Sequence, residues 1–335
     1  MTVLFSTHPA YLEHIAGRHH PECPQRLEAV IEGSQVADVV EALVPLVPEP
    51  ASRAALLRVH PPAYLDYIES ISEAGGGRLD PDTSMNGRSW EAAQLAAGAG
   101  LTAIEALDRG EGDAAFCAVR PPGHHATRTQ SMGFCLISNV AVSAMALADR
   151  GERVLILDYD AHHGNGTQAV FMDDPRVLFV SYHQWPLYPG TGAIDEIGVG
   201  AGEGYTMNIP MPPAATGDHY LRAFDEIVDP RVAAFDPTWL IISAGFDGHR
   251  DDPITDLALT SGDYSLLTQR ALCLVPRGKV LVMLEGGYDF AALTNCTAAA
   301  LGALEGRTIA PERATSGGPG GRNVDVVRDF WAQNA

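Results

Sequence analysis

R-V-L-I-L-D-Y-D-A-H-H-G-N-G (Arg153–Gly166) divides into two halves of opposite character. Val154–Leu157 is an unbroken aliphatic run, short and apolar on both faces, as a central parallel strand covered by helices would be. Asp158–Gly166 then packs two aspartates, two histidines and an asparagine around glycines. A strand handing polar side chains to the loop beyond its carboxyl end is the arrangement in which open α/β sheets hold their ligands.

The same pattern recurs on both sides of this stretch. Val3–Ser6, Ala115–Val119, Arg153–Asp158, Val177–Tyr182, Trp239–Ala244 and Lys279–Leu284 read as strands. Ser89–Leu107, Ser138–Asp149, Asp218–Val228, Gly262–Leu274 and Phe290–Leu304 read as helices, mostly rich in Ala and Leu. Alternation of this kind predicts an α/β fold with a mainly parallel central sheet and helices on both faces. No charged or low-complexity linker and no internal repeat divides the chain, so residues 1–335 are expected to form a single domain. Its motif-bearing core spans about residues 18–305, and the tail, about 306–335 with the Gly-rich Ser316–Gly321, is expected to be partly mobile.

Composition narrows the function classes. The 335 residues carry 22 Lys and Arg against 42 Asp and Glu, a formal charge of −20, with 46% hydrophobic and 19% charged residues. That apolar content excludes a disordered chain. Runs such as Val154–Leu157 and Leu240–Ile242 fall far short of the ~20 residues that span a bilayer, and the N-terminus lacks the pattern of a secretory signal. The acidic balance argues against direct nucleic-acid binding and is compatible with a cationic substrate. Cys23, Cys117, Cys135, Cys273 and Cys296 are scattered and odd in number, which fits reduced thiols in a cytoplasmic protein.

Four strand ends carry the chemistry. They lead into Arg120-Pro121-Pro122-Gly123-His124-His125, Asp158–Gly166, Gly245-Phe246-Asp247 and Glu285-Gly286-Gly287-Tyr288. In an extended segment the side chains of Asp160 and His162 point to the same side. With Asp247 they would offer a metal three ligands and leave an open position, as a catalytic zinc requires. The alternative is that Asp160 caps the helix starting near Gly164 while His162 packs in a loop. His124 and His125 in a Pro/Gly-stiffened loop could act as base, with Asp158 and Asn165 available to orient them, or they could be partly exposed loop residues. Tyr288 could donate to a developing oxyanion, Gly286 and Gly287 allowing close backbone approach, or it could be a turn residue. Arg26, after His20-Pro21-Glu22-Cys23-Pro24, is available for a buried ion pair or for carbonyl contacts. There is no G-x-S-x-G, and the glycines between Gly198 and Gly204 lack a phosphate loop's Lys-Ser/Thr.

R-P-P-G-H-H-A (Arg120–Ala126), D-Y-D-A-H-H-G-N-G (Asp158–Gly166), A-G-F-D (Ala244–Asp247) and L-E-G-G-Y (Leu284–Tyr288) together resemble the zinc-dependent histone deacetylase and acetylpolyamine amidohydrolase superfamily, which has an arginase-like fold. The resemblance runs from His20 to about Asp289. It implies Asp160, His162 and Asp247 as ligands of one zinc ion per chain, His124 and His125 as tandem catalytic histidines, and Tyr288 as the group that polarises the scissile carbonyl. It places Gly133 and Phe134 on one wall of an acyl-lysine tunnel and Tyr188 on the other, where a phenylalanine usually stands. It implies structural potassium at Asp158, Asp160, His162, Ser181 and Tyr182, and a second potassium at Phe171, Asp174, Val177 and Tyr205. Asn165, standing where class I enzymes carry Asp, resembles class II, a class II-like member of bacterial type.

The implied activity is hydrolysis of the acetamide of acetyl-lysine in proteins or peptides. Ile254, where polyamine specialists can place an acidic gatekeeper, offers a distant ammonium no partner. Asp251, Asp252 and the overall charge could still attract polyamines, and Asp82 could sit at the rim and accept from substrate backbone. Acetylpolyamine hydrolysis by the same mechanism is therefore the alternative. A catalytically weak acyl-lysine binder and a two-manganese ureohydrolase stand behind it, and the sequence leaves a homo-oligomer open.

Overall fold

The computed structural model describes residues 1–36, 40–309 and 311–334. The strands are β1 (Val3–Ser6), β2 (Leu43–Leu46), β3 (Gly76–Arg78), β4 (Ser84–Asn86), β5 (Ala114–Cys117), β6 (Val154–Asp158), β7 (Val177–Gln184), β8 (Thr206–Met211), β9 (Trp239–Ala244) and β10 (Val280–Leu284). The helices are α1 (Pro24–Ser34), α2 (Arg53–Leu56), α3 (Pro62–Glu73), α4 (Ser89–Asp108), α5 (Asn139–Ala148), α6 (Asn165–Phe171), α7 (Gly217–Ala223), α8 (Asp229–Phe235), α9 (Ser261–Ala271), α10 (Phe290–Glu305) and α11 (Gly321–Gln333). Eight strands form one sheet in the order β2-β1-β5-β10-β9-β6-β7-β8, every pair parallel. β3 and β4 make a separate antiparallel hairpin. Helices α1, α9 and α10 pack together on one side of the sheet and α4 and α5 on the other. The expected single-domain α/β architecture is the one observed.

Register is what matters for the site. Cys117 pairs with Met283, Met283 with Ser243, and Ser243 with Asp158. The four central strands β5, β10, β9 and β6 therefore stop level with one another, and the four polar loops leave from one rim. All four strands are buried along their whole length, which is why their sequences read as continuous apolar runs.

Two sheet strands escape that reading, β2 and β8, and both lie at the edges. Each contains a proline, Pro45 and Pro210, which lacks the N–H a central strand must donate and is tolerated at an edge. The helix expected over Asp218–Val228 runs on to Phe235 through a π-helical turn at Phe224–Val228, where Asp229 N–H bonds back five residues to the Phe224 carbonyl. Pro230 has no N–H to give to the carbonyl four residues before it, and a wider turn accommodates the gap.

The tail expected to be partly mobile carries helix α11. Its Val324, Val327 and Trp331, spaced three and four residues apart, are buried against α7 and β8, a short apolar stripe on an otherwise polar helix. Trp331→Ala should lower the unfolding free energy by about 3 kcal/mol, read as a drop in the urea midpoint; an unchanged midpoint would mean that the tail contributes nothing to the fold.

Candidate active site

The loop after β5 is held from behind. Glu285, at the end of β10, accepts the N–H groups of Gly123 (2.6 Å) and His124 (3.1 Å) on one carboxylate oxygen. Arg120 is fully buried and forks onto Glu22 at 2.5 and 2.7 Å while donating to the Tyr11 and His14 carbonyls. Arg26 donates to Glu22 (3.2 Å) and to the carbonyls of Gly287 (2.6 Å) and Glu285 (2.5 Å), and its guanidinium lies 4.8 Å from the centre of the Tyr288 ring. The buried ion pair and carbonyl contacts expected of Arg26 are both present. One buried Glu/Arg/Arg group thus locks the N-terminal segment to two of the four loops.

On that frame Asp160, His162 and Asp247 converge, their ligand atoms all within 4.8 Å of one another and all three residues buried. His162 Nδ1 lies 2.8 Å from Asp247 Oδ2 and 3.2 Å from Asp160 Oδ1. Backbone amides hold the carboxylates in place: Ala161 donates to Asp247 (2.7 Å), Gly286 and His162 to Asp160 (2.8 Å each). Burial disfavours a charged His162, but the Asp247 and Asp160 carboxylates outweigh it and lift its pKa to about 10. The capping alternative is not realised, since α6 starts after Gly164 with no side-chain cap. Two carboxylates and an imidazole, oriented by amides, make a donor set suited to zinc.

The His124 and His125 rings lie tilted at 43° with centres 4.0 Å apart, yet their surroundings are opposed. His124 Nδ1 faces the Asp158 carboxylate at 3.0 Å, whereas His125 Nδ1 faces the neutral Asn165 amide oxygen at 2.8 Å. Burial resists charge on His124, but Asp160 and Asp158 overcome it and hold its pKa well above the ordinary value. Burial, reinforced by the positive charge of His124 and His162, holds His125 well below it. Asp158 itself is pushed up to about 6 by burial, against the pull of His124.

Of these groups His125 and His162 reach a cavity of roughly 270 Å³, lined also by Asp82, Gly133, Phe134, Tyr188, Ile254 and Tyr288. Phe134 meets Tyr288 edge-on at 5.8 Å, and Tyr188 meets His125 edge-on at 5.2 Å. Gly133 adopts φ +53°, and a Cβ there would collide with the His125 ring, so glycine is what lets the wall close on His125.

Of the expected site residues, Gly287 is not part of the cavity lining, and its carbonyl accepts from Arg26. Asp252 is no rim acid: it is buried, with its carboxylate on backbone amides, while Asp251 is exposed. For the expected inner potassium site, Asp158 and Ser181 are register partners on adjacent strands, and Tyr182 stacks on Tyr220. For the outer one, Phe171 ends α6, Val177 opens β7 and Tyr205 precedes β8. The Phe171, Asp174 and Tyr205 carbonyls each accept one backbone N–H already. Glu285, in sequence only one letter of L-E-G-G-Y, holds the histidine loop; its signal is an acid set at the end of an apolar run.

A histone deacetylase domain family model matches residues 20–304. A probable deacetylase of Archaeoglobus fulgidus is 43% identical over 288 residues, covering 84% of this chain and 80% of that protein. A histone deacetylase-like amidohydrolase of Pseudomonas aeruginosa is 37% identical over 292 residues, 85% of this chain and 76% of that one. Histone deacetylase 15 of Arabidopsis thaliana is 38% identical over 332 residues, 95% of this chain but 60% of the relative. The crystal structure of the HDA15 HD domain superposes with a TM-score of 0.90 at 35% identity, covering 99% of this chain and 96% of that one.

Gly286 tests the metal cluster directly. A Cβ there would stand 2.5 Å from a carboxylate oxygen of both Asp160 and Asp247. Gly286→Ala should weaken zinc uptake by about tenfold or more with the fold retained, measured by competition with a chelating dye; wild-type affinity would remove Asp160 and Asp247 as ligands.

Proposed function

The chain belongs to the histone deacetylase family, and from that premise we propose that it hydrolyses the acetamide of acetyl-lysine in proteins or peptides, with one zinc ion held by Asp160, His162 and Asp247. The observation that carries this reading is a buried three-ligand cluster whose His162 lines the same cavity as His125 and Tyr288. Bound there, zinc would supply Lewis-acid polarisation of the carbonyl and lower the pKa of the attacking water.

The chain's own residues supply the rest. His125 has its Nδ1–H on Asn165, which leaves Nε2 as the lone pair that accepts a proton from the attacking water. His124, charged and paired with Asp158, keeps its neighbour neutral, and the proton gained by the histidine pair passes to the leaving amine. The Tyr288 hydroxyl, whose pKa is held well above its ordinary value by burial, stays protonated and donates to the developing oxyanion. Phe134 and Tyr188 wall the narrow part of the cavity against water. The potassium ions expected at Asp158/Ser181/Tyr182 and at Phe171/Asp174/Val177/Tyr205 would brace β7 and the loops beside it.

Substrate choice follows from the lining. Ile254 is apolar and Asp252 faces inward, so a distant ammonium finds little beyond Asp82. This favours acetyl-lysine over an acetylpolyamine. Comparing kcat/KM for an acetyl-lysine peptide, acetylputrescine and acetylspermidine decides between them, and a preference for either polyamine would reverse the assignment.

Two further outcomes are expected. Tyr288→Phe should lower kcat by about 10²–10³ in steady-state assays with zinc content unchanged; a wild-type kcat would deny Tyr288 its role. His125 must be neutral to act, and kcat/KM is lost only as pH falls through its depressed pKa. A bound dication adds positive charge and pushes in the same direction. The acid limb should therefore lie below the ordinary histidine value of about 6.5, and a limb at or above that pH would point to a different base.

A further inference from the structure

Asp252 sits in the turn after β9 with its own N–H fixed on the His249 carbonyl at 2.9 Å. It is 6% exposed. Its Oδ1 accepts the N–H of Ile254 at 3.0 Å and its Oδ2 the N–H of Tyr288 at 2.7 Å. Both of those residues line the candidate active-site cavity, and they come from different loops. One carboxylate therefore holds the backbone of the group read as oxyanion donor and of the apolar wall read as setting substrate choice.

We propose that Asp252 is a positioning residue that fixes Tyr288 against the reacting carbonyl and Ile254 against the substrate chain through its two oxygens. This rests on the reading of Tyr288 given above. A carboxylate is an acceptor on both oxygens, whereas an asparagine offers one oxygen and turns an N–H₂ toward the other amide, donor against donor. Simple capping of the turn at Ile254 would need only a single neutral acceptor. Asp252 instead keeps an acid where burial and the nearby Asp247 charge push its pKa up to about 7. The second oxygen, spent on Tyr288, is what that acid adds.

Asp252→Asn preserves size and breaks one of the two bonds. In the zinc-loaded full chain, its kcat on an acetyl-lysine peptide should fall about 10- to 100-fold, with KM changed by less than about threefold and one zinc per chain retained. Amide hydrogen exchange at Tyr288 or Ile254 should speed up in the same protein. Wild-type kcat together with faster exchange would overturn the positioning role, and a kcat loss that follows zinc loss would place Asp252 behind the metal cluster instead. Should the wild-type chain not hydrolyse the peptide, the functional reading fails by itself. The exchange comparison then still decides the tie, since unchanged protection at both amides in Asp252→Asn overturns it. Should that variant not fold, rapid exchange of the Tyr288 amide in the wild-type chain overturns it equally, and slow exchange supports it.

Discussion

Asp160 and Asp247 bring two negative charges into one dry spot, and much of the surrounding structure answers that repulsion. Burying an unpaired charge is expensive, and burying two of like sign is more so. His162 sits between them, three backbone amides donate to them, and charged His124 approaches Asp160 at 3.8 Å. Compensation remains incomplete. Burial is the largest cause that drives Asp158 to about 6, Glu285 to about 7 and Asp252 to about 7, and neighbouring acids add to each. A pocket that strains several carboxyls toward protonation is one that a dication would relieve.

Much of that arrangement was legible because buried parallel strands are monotonous. Val154–Asp158, Trp239–Ala244 and Val280–Leu284 announce themselves by apolarity, and the polar loops announce themselves by contrast. What single-sequence reading lacks is long-range pairing. Nothing near Glu22 says that it will meet Arg120, 98 positions away, and nothing near Glu285 names Gly123 as its partner. The edge strands β2 and β8 hid behind prolines that are permitted only because no further strand pairs there. α11 hid because its apolar stripe is a mere three residues.

Asp252 shows the same limit more sharply. From sequence, Asp251 and Asp252 are equivalent acids beside a substrate-facing isoleucine. The fold separates them, leaving one in solvent and turning the other inward onto two amides. Only the direction of a turn distinguishes them, and one of the two amides it meets comes from a loop after another strand. His124 and His125 make the parallel case: adjacent and identical in type, they acquire opposite tendencies because the Asp160 and Asp158 carboxylates outweigh burial at the first, whereas burial and the charge of His124 and His162 prevail at the second. Environments that pull two like groups apart are how acid and base functions are divided within a site.

Tyr188 carries this reasoning to the cavity wall. Where the family resemblance leads one to expect a phenylalanine, the ring does what a phenylalanine would, standing edge-on to His125 at 87°. The hydroxyl is the addition. Burial, followed by the charge of Asp82, raises its pKa, so it remains a neutral donor next to an acid at the same wall. The aromatic wall is thereby kept while a polar edge is gained on the Asp82 side, opposite in character to the apolar face of Ile254. Shape selection and polar selection can then sit on different sides of one narrow cavity without either displacing the aromatic contact that Tyr188 makes with His125.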